Sequence, residues 1–405
     1  MHKKHILPAL LVAFVLFFSQ NASAARPEHH TTVTRDGLRL SLKRYASPGG
    51  RPLLVVHGFA SNDIYWDSPV EKYSFAKFLH ARGFDVWIGN LRGAGSRGFR
   101  SESPAGPRHW TVEDYAAFDL PALVEKVQES TQRTVTLVGH SLAAWVFEGY
   151  LSGVYLKDGR PAPDPVRAAG NAERIRSVVT IAGMYKLTWP KKLKNFLKDP
   201  VRNHEDYRNS NYAFEAAALA VPIWHVSYRM NELPLDYLGH ILDLPLGKIP
   251  YIGKILERVS GGFWRELAGT PLFEMLYNSS NMDPQVVLQY ARKSLEDPGP
   301  RLLEQLRNAI LTKKSYEYYH LRRPRDAYDY SVWRRNIRVP VLFVAGERDM
   351  LAHQEGIRSG GFKQYSEARN RAFILVPEAG HLDVVNGINS RAKTWIPVVE
   401  WIDAN

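Results

Sequence analysis

The chain has 405 residues, of which 45% are hydrophobic and 12% aromatic, and its formal net charge at pH 7 is +12. This length allows one large α/β domain with an insertion, or two domains, with ample apolar material for a core. Because there is no cysteine, a thiol nucleophile, a zinc–thiolate site, a lipidated cysteine and disulfide bonds are all excluded. No His, Asp and Glu spacing is typical of a metal site, so we expect no metal.

The N-terminal 24 residues have the pattern of a signal peptide. Two lysines precede an apolar run over residues 6–18, and an Ala-Ser-Ala cleavage motif ends at Ala24. At about 13 residues the run is short for a bilayer span, although an uncleaved anchor is the alternative. We therefore expect a mature chain from Ala25, exported to the periplasm or secreted.

Alternating strand and helix patterns follow as far as residue 181. Asp36-Gly37 is typical of a hairpin turn and joins two runs over residues 31–35 and 38–45. The subsequent alternation favours an α/β fold with a mostly parallel sheet flanked by helices. Strands are predicted over 53–57, 84–88, 135–138 and 177–181, helices over 73–81, 112–128 and 142–151, and an exposed loop over 157–173.

The strand over residues 53–57 ends in His57-Gly58-Phe59. Because Gly58 lets the backbone approach a bound molecule closely, the backbone N–H of Phe59 is a candidate donor to an oxyanion. His57 could be mistaken for a catalytic base, but a histidine that precedes a glycine after this kind of strand more often braces the turn.

A serine stands at the end of the next-but-one strand, in the run Gly139-His140-Ser141-Leu142-Ala143. A strand, a serine with very small residues two positions before and after it, and then a helix are typical of a nucleophile elbow. The turn exposes the hydroxyl at a helix N-terminus, where the positive end of the dipole favours a developing oxyanion. Ser141 is therefore the predicted nucleophile and the N–H of Leu142 the second oxyanion donor. The side chain of His140 is expected to point away from the hydroxyl and to pack.

From residue 184 to about 337 helical periodicity and many aromatic residues replace the alternating pattern, which resumes at Val339. We therefore divide the chain into a signal peptide (1–24), a first core part (25–183), a helical cap inserted between strands six and seven (184–337) and a second core part (338–405). The Leu- and Ile-rich stretch 233–256 would suit a lid over an acyl chain, and a packed helical core is the alternative. No stretch of the cap is long and clean enough to cross a membrane.

Positive charge is concentrated in three places. The loop after Asn90 carries Arg92, Arg97 and Arg100, and the cap carries basic runs at 191–194 and 322–325. The loop arginines could hold a substrate carboxylate or belong to an ordinary glycine-rich loop. The basic runs could bring the protein to an anionic membrane surface or form a solvated face. Nucleic-acid binding has no motif behind it.

The C-terminal part supplies the partners that a serine nucleophile needs. A buried strand pattern over 339–346 precedes Glu347-Arg348-Asp349, and another over 371–377 precedes His381 and Asp383. Both loops would lie at the carboxyl edge of the sheet, where such sheets place their chemistry. The order serine, acid, histidine is that of the α/β-hydrolases. His381 is the predicted base and Asp349 the predicted acid, with Glu347 or Asp383 as alternatives.

Several stretches match the motifs of one known family. They are residues 83–93 (its G-Y-D-V-W-L-G-N-x-R-G), 118–122 (Y-D-L-P-A), 138–141 at the nucleophile, 346–351 (G-x-x-D-x-L) and 381–383 (H-L-D). On these the chain resembles the acid lipases, the gastric and lysosomal lipases, over roughly residues 50–155 and 338–400. The resemblance implies an α/β-hydrolase fold and the reaction type. The resemblance does not identify the substrate, because residues 184–337 have no motif that aligns with the family. In addition, the family's nucleophile motif G-H-S-Q-G is here Gly-His-Ser-Leu-Ala.

These residues predict a carboxylic-ester hydrolase that works through an acyl-enzyme. Ser141 would attack the carbonyl, His381 would move the proton and Asp349 would orient the imidazole, while the amides of Phe59 and Leu142 bind the oxyanion. No cofactor is implied, and the expected partner is a small-molecule or lipid ester. An acyltransferase with the same triad and a non-catalytic binding protein on this fold are the alternatives. A serine at the elbow excludes the epoxide hydrolases and dehalogenases, which need aspartate there.

Overall fold

The computed structural model describes residues 26–104, 109–187, 276–296, 298–318 and 327–405. The predicted signal peptide and the 233–256 stretch of the predicted cap lie outside these residues. What is described contains the strands and loops that carry every predicted site residue.

The centre of the protein is an eight-stranded sheet with the order β1-β2-β4-β3-β5-β8-β9-β10. β1 pairs antiparallel with β2, and β2 with β4, whereas all the other pairs are parallel. A separate small hairpin consists of β6 and β7. The strands are β1 (Glu28–Val33), β2 (Arg39–Tyr45), β3 (Pro52–Val56), β4 (Asp85–Gly89), β5 (Val135–His140), β6 (Tyr155–Lys157), β7 (Arg160–Ala162), β8 (Ile175–Ile181), β9 (Val341–Gly346) and β10 (Arg371–Val376).

The inner strands form because most of their residues are apolar. β3, β4, β5 and β9 are buried at every position, as expected for parallel strands covered on both faces. One row of paired residues crosses the middle of the sheet from Val55 through Val138 and Val179 to Leu342. All four side chains in this row are fully or almost fully buried. This row fixes the register, and with it the level at which each strand ends.

Helices flank the sheet. The longer ones are α1 (Phe75–Ala81), α2 (Leu120–Thr131), α3 (Ala143–Leu151), α4 (Pro165–Arg174), α5 (Pro284–Gln289), α6 (Pro300–Thr312) and α7 (Ile396–Ala404). Shorter helical turns span Asp63–Tyr65, Glu71–Tyr73, Val112–Asp114, Tyr115–Asp119, Ser279–Asn281, Tyr290–Ser294, Tyr330–Trp333, Arg334–Asn336, Gln354–Ile357, Arg358–Phe362, Asp383–Asn386 and Arg391–Trp395. α1 starts two residues later than predicted because the Ser74 hydroxyl accepts the backbone N–H of Lys77, at 3.2 Å, and caps the helix.

The predicted exposed loop over residues 157–173 is wrong. The structure has the β6–β7 hairpin there, followed by α4. Asp164 caps α4 by accepting the backbone N–H groups of Val166 and Arg167, and Pro165 occupies the first helical position. An Asp-Pro pair is a typical helix start, and the abundance of small residues concealed it.

The chain leaves the sheet after β8 and returns at β9, and these two strands are direct parallel neighbours. The residues of this long connection that the structure describes are mainly helical and include α5 and α6. The boundaries of the predicted cap, 184–337, remain a prediction.

Candidate active site

Ser141 follows the last residue of β5 and has a backbone φ of +55°. A left-handed conformation is unfavourable for a residue with a side chain and is typical of strained functional turns. The turn is also crowded, because a Cβ added to Gly139 would lie 2.5 Å from the Phe147 ring and 2.7 Å from the Ala143 Cβ. The small residues at 139 and 143 therefore permit the turn that presents Ser141 at the N-terminal end of α3.

The structure brings Ser141, His381 and Asp349 into one hydrogen-bonded row. His381 Nε2 lies 3.0 Å from the Ser141 hydroxyl, and His381 Nδ1 lies 2.8 Å from Asp349 Oδ2. All three side chains are buried. The second carboxylate oxygen of Asp349 accepts the backbone N–H groups of Leu351 and Ala352, both at 2.8 Å, which fixes its orientation toward the imidazole.

The two other candidate acids have different partners. Glu347 is exposed and its carboxylate accepts the backbone N–H of Glu378 at 3.0 Å. The Asp383 carboxylate accepts the N–H groups of Gly380 and Asn278 and the side-chain amide of Asn281. Burial raises the pKa of Asp383, although these donors act against the increase. Neither carboxylate is hydrogen-bonded to His381.

Phe59 and Leu142 line one small recess, together with Gly58, Ala60 and Glu296. The loop carrying Phe59 runs close to the serine, since a Cβ added to Gly58 would lie 3.0 Å from the Ser141 Cβ. Ala60, the next residue along, has a left-handed φ of +50°. Within the described part of the chain, neither the Phe59 nor the Leu142 backbone N–H donates a hydrogen bond. Both N–H groups are therefore unused by the described part of the fold.

Two further histidines are buried near the row. His57 accepts the backbone N–H of Leu91 at 3.1 Å and places its other ring nitrogen 2.9 Å from the Gly58 carbonyl, and burial lowers its pKa to about 4. His140 lies between the rings of Tyr65 and His381, with Nε2 2.9 Å from the backbone carbonyl of His381. Burial lowers the pKa of His140 well below its usual range. Burial thus favours the neutral form of both imidazoles, and their hydrogen bonds brace the turns around the serine.

Two of the arginines in the loop after Asn90 are occupied by carboxylates of the protein. Arg92 is buried between Asp119 and Asp36, and Arg100 binds Glu296 at 2.7 Å. This agrees with the simpler interpretation of the loop, in which these arginines hold structure rather than substrate.

Sequence reasoning missed the polar residues that reach this site from the long connection. Asn278 and Asn281 contact the His381 loop through Asp383, and Glu296 contacts the loop that carries Phe59. No local pattern marks these residues, because their partners are distant in sequence. Among the residues described here, no helix is long and apolar enough to cross a membrane, and no cluster of His, Asp and Glu could hold a metal ion.

Comparison with known proteins agrees with this architecture. The family model of the alpha/beta hydrolase fold matches residues 51–387, so the chain belongs to this family. Triacylglycerol lipase 1 of Arabidopsis thaliana is 36% identical over 122 residues, which is 28% of this chain and 30% of that protein. Human gastric triacylglycerol lipase is 28% identical over 183 residues, 42% of each chain. The matches thus cover less than half the length of these relatives.

Solved structures show the same fold at low sequence identity. A membrane phospholipase A described as a bacterial virulence factor has a TM-score of 0.50 and 13% identity, covering 99% of this chain and 93% of its own. DcsB, in complex with its substrate analogue, has a TM-score of 0.50 and 16% identity, covering 94% of this chain and 99% of its own. The predicted fold class and the resemblance to the gastric lipases are confirmed.

Proposed function

We propose that this chain is an exported serine hydrolase that cleaves carboxylic esters with an apolar acyl group through an acyl-enzyme intermediate. One observation carries the proposal. Ser141 lies in a left-handed turn and is hydrogen-bonded to His381, which is hydrogen-bonded in turn to Asp349. A serine hydroxyl is a weak nucleophile and needs an adjacent base held by a third group, which is what this row supplies.

In the proposed reaction, the Ser141 oxygen attacks the ester carbonyl while His381 Nε2 takes the hydroxyl proton. Asp349 holds the imidazole through Nδ1 and stabilises its charged form. The carbonyl oxygen becomes an oxyanion and accepts the N–H groups of Phe59 and Leu142. The tetrahedral intermediate expels the alcohol, which receives the proton from His381. Water, activated by the same imidazole, then releases the acid and restores Ser141.

An apolar acyl group is supported by two observations of different kinds. The stretch 233–256 is rich in leucine and isoleucine, and the relatives in the comparison are named triacylglycerol lipases. Export is supported by the signal-peptide pattern that ends at Ala24.

The test uses the purified chain with a series of p-nitrophenyl esters and a fluorophosphonate probe. We expect the wild type to hydrolyse the esters and to be labelled once, and S141A to lose labelling and on the order of 10⁶-fold in kcat. A wild type that is neither active nor labelled, or an S141A variant that is still labelled, would contradict the proposal.

A competing alcohol separates hydrolysis from acyl transfer. With water as the natural acceptor, added alcohol should divert only a minor share of the acyl group at low concentration. If transfer to the alcohol dominates, the enzyme is an acyltransferase with the same triad.

A further inference from the structure

The loop of residues 58–62, which carries the Phe59 amide, is held from outside by a short piece of the long connection. The backbone N–H of Glu296 donates to the Ala60 carbonyl at 3.0 Å. The side-chain amide of Asn62 donates to the Lys293 carbonyl at 2.9 Å, and the hydroxyls of Ser61 and Ser294 lie 3.1 Å apart. The 58–62 loop therefore takes its position partly from residues 293–296.

The Glu296 carboxylate is the centre of this contact. One oxygen accepts the Asn62 amide at 2.7 Å, the Gly95 backbone N–H at 3.1 Å and an Arg100 N–H at 3.2 Å. The other accepts the second terminal nitrogen of Arg100 at 2.7 Å. Arg100 also donates to the carbonyls of Gly93 and Gly95. A single side chain thus joins the 58–62 loop to the 93–100 loop.

Burial of the Glu296 carboxylate costs folding free energy unless each of its hydrogen-bond and charge partners is present. Glu296 is only 4% exposed, and burial raises its pKa to about 7 while the Arg100 guanidinium acts in the opposite direction. Removal of one partner of a buried ion pair leaves an uncompensated charge or an unpaired donor. The 58–62 loop is therefore sensitive to the chemistry of residue 296 as well as to its size.

The loop needs such a restraint because Ala60 has a left-handed φ of +50°. An alanine in this region of backbone space is strained, and it stays there only when the surrounding structure fixes it. Glu296 donates its backbone N–H to the carbonyl of this same residue. Since Phe59 directly precedes Ala60, relaxation of Ala60 would displace the backbone of Phe59 and with it the N–H that we propose as an oxyanion donor.

We infer that Glu296 is a positioning residue for the oxyanion hole, and that it acts through Asn62 and the 58–62 loop. The inference rests on the proposed function. A merely structural role of Glu296 would predict something different: its loss would lower the stability of the protein without selectively weakening the binding of the transition state.

The test compares E296Q with E148Q. Glu148 is also a buried carboxylate paired with an arginine, Arg334, but its partners lie away from the 58–62 loop. For each variant, kcat and KM are measured on p-nitrophenyl butyrate, together with the midpoint of thermal unfolding. Affinity is measured for a trifluoromethyl ketone, which places an oxyanion in the hole, and for the matching methyl ketone, which does not.

We expect E296Q to lose about 10- to 100-fold in kcat, less than the loss of an oxyanion donor itself, with KM changed by less than about threefold. The trifluoromethyl ketone should bind roughly 10-fold more weakly and the methyl ketone as in the wild type. E148Q should lower the unfolding midpoint and keep kcat within about twofold. E296Q with wild-type kcat and wild-type trifluoromethyl ketone affinity overturns the inference, as does a loss that E148Q shares.

A second variant, N62A, tests the inference if E296Q does not fold. N62A removes the side-chain link from the loop side and leaves the Glu296–Arg100 pair in place, and it should show the same selective loss of kcat. Retention of full kcat in N62A overturns the inference. Failure of the proposed function has a different signature, because the wild type itself would then be inactive or unlabelled by fluorophosphonate.

Discussion

Around β5 and β9 the protein is held by apolar packing, whereas the described part of the long connection adds a set of buried polar contacts to the apolar side chains that it also buries in the core. The strands contribute leucine and valine side chains with almost no exposed surface. These polar contacts include Glu296 with Arg100, Asn278 and Asn281 with Asp383, Gln305 with Glu113, and Arg334 with Glu148.

The two kinds of contact respond differently to change. Apolar packing depends on volume and loses stability gradually as methyl groups are removed. A buried polar contact depends on charge, proton and geometry together, and the loss of one partner is costly even when the volume is kept. The core should thus tolerate conservative changes, while the attachment of the long connection should be sensitive to single polar substitutions and to pH.

The largest difference is expected between two aspartates near His381. Asp349 lies on the loop after β9 and orients the imidazole, whereas Asp383 ties the histidine loop to Asn278 and Asn281. D349N should lose about 10⁴-fold in kcat with little change in thermal stability. D383N should lower the unfolding midpoint and cost less than about 10-fold in kcat. Ester hydrolysis and thermal unfolding of both variants check this, and an equal loss of kcat in the two would remove the distinction.

The next effect concerns stability. Arg334 donates to both oxygens of Glu148, at 2.5 and 3.0 Å, and both side chains are buried. R334M should lower the free energy of unfolding by about 3–5 kcal/mol, because it leaves the Glu148 carboxylate buried without its cation. The control is R338M, which breaks the exposed pair with Glu367 and should cost no more than about 1 kcal/mol. Urea denaturation measures both, and similar small costs would show that the buried contact is not special.

Glu113 provides a test by pH. Burial raises the pKa of Glu113 from 4.5 to about 7, while Gln305 and Tyr330 donate to one of its oxygens. Because the folded state holds this proton more tightly than the unfolded state, the contribution to stability is complete below pH 4.5 and is lost as the pH rises through 7.

E113Q keeps the shape and cannot ionise. Between pH 5 and pH 8 the wild type should therefore lose up to roughly 3 kcal/mol of unfolding free energy relative to E113Q. Denaturation curves of both proteins across this range give the difference. Parallel pH dependence in the two would mean that Glu113 does not hold a proton in the fold.

The smallest expected effect is the gain in kcat/KM for each methylene that is added to the acyl chain of the substrate. If the stretch 233–256 contacts the acyl chain, each added methylene should improve kcat/KM by up to about 0.8 kcal/mol, roughly fourfold, until the site is full. L242D should then penalise long esters far more than acetate, with an unchanged unfolding midpoint. A flat chain-length profile in the wild type would leave only a short-chain or bulky-ester esterase.

The sheet and the geometry at its carboxyl edge could be predicted because each depends on local patterns. The apolar runs of β3, β5 and β9 fix the strands, and the strand ends then determine where Ser141, Asp349 and Phe59 lie. Parallel pairing brings these ends to one edge whatever their separation in sequence. The sequence predicts Asp349 as the acid but leaves Glu347 and Asp383 as alternatives, because all three follow strands by a few residues. The three-dimensional contacts pair Asp349 with His381.

The contacts of the long connection could not be predicted for a physical reason. Glu296, Gln305 and Arg334 have ordinary sequence neighbours, and their partners Arg100, Glu113 and Glu148 are 186 to 196 residues away. Polar pairing at such distances leaves no periodicity. The loop prediction over residues 157–173 is wrong for a different reason. Asp164-Pro165 is a local signal for a helix start, but the many small residues around it favoured a loop prediction.

The pairing of β8 directly with β9 also bears on how this protein can diversify. Residues 182–340 connect two neighbouring parallel strands, so this part of the chain leaves the sheet at the carboxyl edge after β8 and returns at the opposite edge before β9. Doubling the length of such a connection adds only about 0.6 kcal/mol of closure entropy. Natural variation or design can thus lengthen, shorten or exchange this part of the chain while the strand register stays as it is. A graft that keeps residues 276–296 would carry its own attachment to the loops around Ser141.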